Sequence, residues 1–262
     1  MSKLHRLFTT TEYPVFYLVI PKCGCTFVKN VLWKMEHGVG HPKPDRIHDD
    51  DGTFVRASNT DTTAEFVRQS EVGITFVRNP IDRVCSLYAD KIMGPGHKRF
   101  PPVRQTLIEH HGLNENASTD VEHRANISVL IEWLALSIAK EAEISPDAHW
   151  TPYRHRTDVF AEFDLKIGLC NRLSQTMKEV VSTVGLNWQE VRVDRLNSSA
   201  SKSFREILNN EQKTAIREIY RWDWKLCRLI STAQKLIGDS ELPDREVRIP
   251  RYSELLEMGL PE

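Results

Sequence analysis

Long apolar runs are missing from this chain. The N-terminal stretch MSKLHRLFTTTEYPVFYLVIPK is interrupted by Glu12, Tyr13 and Pro14, and it lacks the charged, apolar, small-residue order of a secretory signal. The most apolar later segment, RANISVLIEWLALSIAKE (124–141), is too short and too charged at its ends to span a bilayer and reads as a core helix. No transmembrane segment is expected, and the location expected from these features is the cytoplasm. Cysteine is also scarce: the five, at 23, 25, 85, 170 and 227, are odd in number and follow no framework spacing, which excludes a disulfide scaffold. An excess of one charge is absent as well. With 35 basic and 36 acidic side chains and a net charge of −1, the chain is not a general nucleic-acid coat, and no nucleic-acid partner is expected. Any anion site must be local. No repeat, low-complexity tract or linker-like stretch marks a boundary, so residues 1–262 are expected to form a single domain.

What is present alternates between two periodicities. VFYLVI (15–20), GITFVRN (73–79) and FDLKIGLC (163–170) are short apolar runs rich in β-branched and aromatic residues, as strands buried on both faces of a parallel sheet are. Helical spacing follows each of them. It runs from Thr26 to His37 before Gly38, from Pro80 along IDRVCSLYADKIM, and from Arg172 to Thr183 near Gly185. Strand, turn and helix in succession predict an α/β fold with a central parallel sheet. Residues 37–54 form a long loop of Gly, Pro, Asp and His that should border a site. HKRFPPVR (97–104) reads as a basic loop, VRVDRLNSSASKS (191–203) as a polar loop, and 210–230 as one closing amphipathic helix.

Between the first strand and its helix lies IPKCGCTFVKN (20–30). A redox dithiol uses CxxC, and a zinc site needs two further ligands at suitable spacing that the sequence does not offer. Two readings of this loop remain: a plain turn whose cysteines are small buried hydrophobes, or a phosphate cradle. The cradle has a physical basis, because a loop from a buried strand into a helix aims backbone N–H groups and the positive helix end at one point. Gly24 allows close approach, Thr26 adds a hydroxyl and Lys22 an ammonium. The order is not GxxxxGK[ST], since the lysine comes first. In VRNPIDRVCSLYADK, Arg78, Arg83 and Ser86 can converge on a dianion near the strand's carboxyl end, unless they merely decorate a solvated helix.

Together these stretches resemble a known family. PKCGCTF resembles the PKxGxT loop of sulfotransferases that use 3′-phosphoadenosine-5′-phosphosulfate (PAPS), and RNPIDRVCSLY is similar to their RxPxxRxxSxY segment. DAHWTPYRHRTDVFAEFDLKIGLCNRLSQTMKEV, LNSSASKS and the RWDWKLC helix resemble the branch that sulfates chondroitin, dermatan and glucuronyl-lactosamine chains, including its bacterial relatives. The resemblance spans about residues 15 to 230. Asn171 stands where that branch carries a glutamate, and Arg154 and His155 stand near a position where the animal enzymes carry a cysteine.

The resemblance implies a P-loop-NTPase-like fold and transfer of a sulfuryl group from PAPS to a hydroxyl of a carbohydrate or glycolipid, with no metal. It assigns Lys22, Gly24, Cys25, Thr26 and Phe27 to the 5′-phosphosulfate, with Lys22 stabilising the departing oxygen. Arg78 and Ser86, supported by Arg83, are assigned to the 3′-phosphate, and Lys202 to a lid over the nucleotide. The acceptor hydroxyl needs a base of near-neutral pKa. His48 leads, with His41, Asp45 and His149 as alternatives. Lys98, Arg99, Arg104, Arg154 and Arg156 could meet an acidic sugar chain. Two other functions stay open: a P-loop-type small-molecule kinase, against which the missing GK[ST] order counts, and a noncatalytic module binding anionic ligands.

Overall fold

The strands that the sequence predicts assemble side by side in a computed structural model that describes residues 7–48, 55, 56, 67, 70, 72–94, 101–194, 200–236 and 248–261. Among the described residues five strands form one sheet in the order β3-β1-β2-β4-β5. They are β1 (Leu7–Thr9), β2 (Val15–Leu18), β3 (Val55–Arg56), β4 (Val72–Val77) and β5 (Lys166–Leu169). The three strands that read as buried runs form the parallel part. β2 pairs with β4 from Val15↔Val72 to Leu18↔Thr75, and β4 pairs with β5 from Ile74↔Lys166 to Val77↔Leu169. Every residue of β2 is buried, as a central strand of an α/β sheet requires. The fold is α/β, and its sheet is mixed rather than wholly parallel. β1 runs antiparallel to β2 and to β3, an addition that the three residues LFT were too short to announce.

The chain forms two compact units. One comprises Met1–Arg78, Arg156–Leu196 and Lys225–Glu262, and the other Asn79–His155 and Asn197–Trp224. Three of the four crossings fall directly after β4, inside a 3₁₀ turn at Tyr153–Arg156, and inside the helix Arg221–Leu236, where no linker composition marks them; the fourth falls between residues 196 and 197, in the stretch that the sequence reads as a polar loop. The first unit holds the sheet with helices α1 (Cys25–His37), α5 (Thr157–Glu162), α6 (Leu173–Thr183), α7 (Trp188–Val191) and α11 (Tyr252–Glu257). α1 packs against α6 and α7.

The second unit is helical: α2 (Pro80–Leu87), α3 (Pro101–His111), α4 (Asp120–Ala139), α8 (Ala200–Ile207), α9 (Asn210–Ile219) and the first turn of α10 (Arg221–Leu236). Its core joins Ile81, Tyr88, Leu130, Trp133, Trp150 and Ile216. Asn79 caps α2 by accepting the N–H of Ile81 at 3.0 Å, with Pro80 at the first helical position. α4 opens on a reciprocal capping box between Thr119 and Glu122, and the bonds that Glu122 accepts lower its carboxyl to about 2.

Three local readings change. Helix α3 begins at Pro101, so the expected basic loop is helical from that residue, a proline being suited to a first turn. The expected polar loop gives way to α8 at Ala200. The closing helix is two helices, because Tyr220 leaves helical geometry at φ −111°, ψ 38° and sends its hydroxyl to the carbonyl of Trp150 at 2.7 Å.

Candidate active site

The loop after β2 is held from below by its first cysteine. Cys23 is fully buried and its N–H bonds to the carbonyl of Ile20 at 3.3 Å. The residues on either side of it, Lys22 (φ +68°) and Gly24 (φ +81°), both adopt left-handed backbone. Glycine does so at little cost, whereas lysine is strained there. Gly24 has a second reason to lack a side chain: a Cβ would stand 2.4 Å from Cδ1 of Leu173, the first residue of α6. Helix α1 then starts at Cys25 with no side-chain cap at Gly24 and no acidic residue in its first turn. The positive end of its dipole therefore meets no carboxylate of its own.

Two cations stand at the carboxyl ends of neighbouring parallel strands. Lys22 follows β2, and Arg78 follows β4; the guanidinium of Arg78 donates to the carbonyl of Lys22 at 3.3 Å. Both side chains are half-buried. Thr26 is also half-buried, while Phe27 is buried, so what Phe27 can present is its backbone.

The long loop returns to this point. His48 brings Nε2 to 2.9 Å from Oγ1 of Thr26 and 3.7 Å from Sγ of Cys25. Ile47, the residue before it, is fully buried and anchors the loop there. His41 lies deeper: it is buried, its Nδ1 accepts the N–H of Lys43 at 3.0 Å, and its ring meets Trp33 edge-on at 4.6 Å. Asp45 is exposed in a 3₁₀ turn, Pro44–Arg46. Burial pushes the Cys25 thiol up, with Lys29 and Lys22 pulling the other way, which keeps it a neutral thiol rather than a nucleophilic thiolate. None of the five cysteines is joined in a disulfide.

In the second unit Ser86 is half-buried on α2. Arg83, one turn away, to which the resemblance assigns a supporting place at the 3′-phosphate, is buried and turned inward. Its guanidinium donates to the carbonyls of Thr151 at 3.0 Å and Ala148 at 2.9 Å, lies over the Tyr153 ring at 4.5 Å, and stands 3.8 Å from Oδ2 of Asp223. Asp223 is buried and accepts the N–H of Tyr153 at 2.9 Å. Burial pushes its carboxyl up to about 7, against the pull of Arg83 and of the N–H groups of Tyr153 and Arg154. Arg83 is therefore a structural tie for the 148–153 segment. Arg83→Leu should destabilise the protein by about 3 kcal/mol, since it leaves a buried acid without its cation. Without the pull of Arg83 that carboxyl is pushed up further, so between about pH 6 and about pH 8 the folded variant binds more protons than the folded parent and its deficit should grow. Urea unfolding at the two pH values checks both; a loss under about 0.5 kcal/mol would show a solvated surface arginine instead.

His149 lies in the same segment, with Nδ1 bonded to Oδ1 of Asp147, which also accepts its N–H at 2.8 Å. Arg104 turns to the carbonyl of Ile92 at 3.1 Å and to Glu115. Arg154 is exposed and Arg156 half-buried. Lys98 and Arg99 lie outside the described residues; Lys202 is on α8, and its side chain is likewise outside them. Among the described residues no group of three or more His, Cys, Asp or Glu is placed to hold a metal ion, and no helix is long and apolar enough to cross a membrane. Sequence reasoning passed over Asn30, whose amide reaches both the carbonyl of Thr26 at 2.8 Å and that of Pro44 at 2.9 Å. A lone asparagine in a helix gives no pattern by which to find it.

The sequence profile of the sulfotransferase family matches residues 5–227. No curated protein and no solved structure matches the chain.

Proposed function

This chain belongs to the sulfotransferase family, and from that premise we propose that it transfers the sulfuryl group of PAPS to a hydroxyl of a carbohydrate or glycolipid. The profile match runs through both units, and we take them together as one sulfotransferase domain. The observation that carries the reading is the 2.9 Å approach of His48 to Thr26, which sets an imidazole beside the uncapped first turn of α1. The residues present suit the donor: an uncapped helix start, a lysine and an arginine at adjacent strand ends favour an anion there. PAPS supplies an activated sulfuryl group joined to a phosphate leaving group. Lys22 stabilises the negative charge that develops on the leaving oxygen, and the hydroxyl of Thr26 donates to the same region. His48 accepts the proton of the acceptor hydroxyl. Arg78 pairs with the 3′-phosphate through charge-assisted hydrogen bonds, and the motif adds Ser86 as a hydroxyl donor to the same group. The acceptor class rests on the resemblance of residues 147–180 to the chondroitin and dermatan branch.

Calorimetry with adenosine 3′,5′-bisphosphate, AMP and ADP tests the donor. The bisphosphate should bind more tightly than the other two by about 10-fold to 100-fold, the worth of hydrogen bonds to a charged group. Arg78→Ala should remove that preference. Equal affinity for all three nucleotides in the unaltered protein would overturn the PAPS reading.

A further inference from the structure

Asn30 sits in the second turn of α1 and is 3% exposed, a buried amide on a helix whose first turn belongs to the proposed donor site. Its NH₂ group has two N–H bonds to place, and both are used. One goes back along the helix to the carbonyl of Thr26 at 2.8 Å, and the other leaves the helix for the carbonyl of Pro44 at 2.9 Å. Pro44 opens the 3₁₀ turn that leads through buried Ile47 to His48. The imidazole of His48 then returns to the side chain of Thr26, the residue whose carbonyl Asn30 holds. A closed circuit results: Thr26 carbonyl, Asn30 amide, Pro44 carbonyl, the three residues 45–47, His48 ring, Thr26 hydroxyl. Isolated hydrogen bonds on a surface would not fix a loop, but a buried amide with both donors committed has few alternative arrangements.

We propose that Asn30 is the positioning residue for His48, tying the loop at 44–48 to the first turn of α1 so that the imidazole stands at Thr26. The inference rests on the sulfuryl-transfer reading, in which His48 is the base. Asn30 itself is buried and acts through the loop, both donors of its amide being committed to backbone carbonyls. Removing its amide should leave the strand-end cations and the helix start intact while letting the imidazole drift, and a misplacement of about 1 Å at a reacting group costs about 10²-fold.

The test uses the full chain carrying Asn30→Leu, with Asn30→Ala as a second variant in case leucine does not fold. Binding of adenosine 3′,5′-bisphosphate by calorimetry reports the donor site, and a Kd within about twofold of the unaltered protein is expected. The ring nitrogen signals of His48, assigned by their loss in His48→Ala, report its position without any acceptor. They should move to where they lie in Thr26→Val, in which the partner hydroxyl is gone. With PAPS and a pool of chondroitin and dermatan oligosaccharides, kcat should fall about 10²-fold with KM for PAPS within about twofold of the original. His48 signals that stay in place in both variants would overturn the positioning role. So would a loss of bisphosphate affinity as large as the loss of kcat, since Asn30 would then be holding the donor loop. Failure of the unaltered protein to bind the bisphosphate would instead bring down the sulfuryl-transfer reading beneath it.

Discussion

Replacing Lys22 with glycine should make the protein more stable and nearly inactive at once. Lys22 holds φ +68°, in the left-handed region, where an L-residue costs about 1–2 kcal/mol. Glycine takes that conformation freely, and its greater freedom in the unfolded chain returns about 0.5–1 kcal/mol of the gain. A net stabilisation of about 0.5–1 kcal/mol should raise Tm by about 1–4 °C for a chain of this size. The carbonyl of residue 22 remains available to Arg78 in the variant. What disappears is the ammonium at the carboxyl end of β2, and loss of one preorganised donor at a developing anion costs about 10²–10³ in turnover. Thermal unfolding and single-turnover transfer from PAPS, run on the same preparation, check the pair. Turnover within about tenfold of the original would remove Lys22 from the charge-stabilising role. A lower Tm would mean that contacts of the lysine side chain outweigh the strain of its backbone.

His48→Ala should have the opposite signature, with bisphosphate affinity and stability nearly unchanged and transfer reduced by about 10²–10⁴, the usual contribution of a positioned general base. Its Nε2 stands at Thr26, and the side chain is half-buried at the mouth of the loop rather than part of the core. His41→Ala provides the contrast. That ring is buried against Trp33 and accepts the Lys43 N–H, so its loss should appear in the unfolding midpoint before it appears in kcat. Transfer that survives His48→Ala with the bisphosphate still bound would move the base to His149, whose ring Asp147 orients.

The parallel half of the sheet was legible because strands buried on both faces must be apolar throughout, and VFYLVI and GITFVRN advertise that without any tertiary knowledge. The helix that follows each strand was legible for a similar reason, its period being set by the core it covers. β1 was not, since LFT is too short to establish a period and owes its place to pairing with β2. The loop after β2 announced itself as a candidate anion cradle through the kinds of residue it contains. The composition of residues 37–54 pointed to a loop bordering a site; the bond from Asn30 to Pro44 was not legible, because it depends on the path of that loop and not on any repeat along it. Arg83 illustrates the limit most directly. Spacing puts it one turn from Ser86, but whether its guanidinium faces a ligand or the interior is decided by Asp223, 140 residues later in the chain.

The pairing of Leu18 with Thr75 has a bearing on how this protein can change. It makes the sheet a ruler, with Lys22 four residues past one mark and Arg78 three past the other. An insertion of one residue within β4, which is paired on both edges, would bulge the ladder or shift every residue beyond it by one place, and the buried side chains there would register it as lost stability. It would turn the arginine at the strand's end toward the opposite face, since side chains alternate along a strand. A change of length in β4 would therefore be felt in the core and at Arg78 together, whereas the same change in a surface loop need disturb neither.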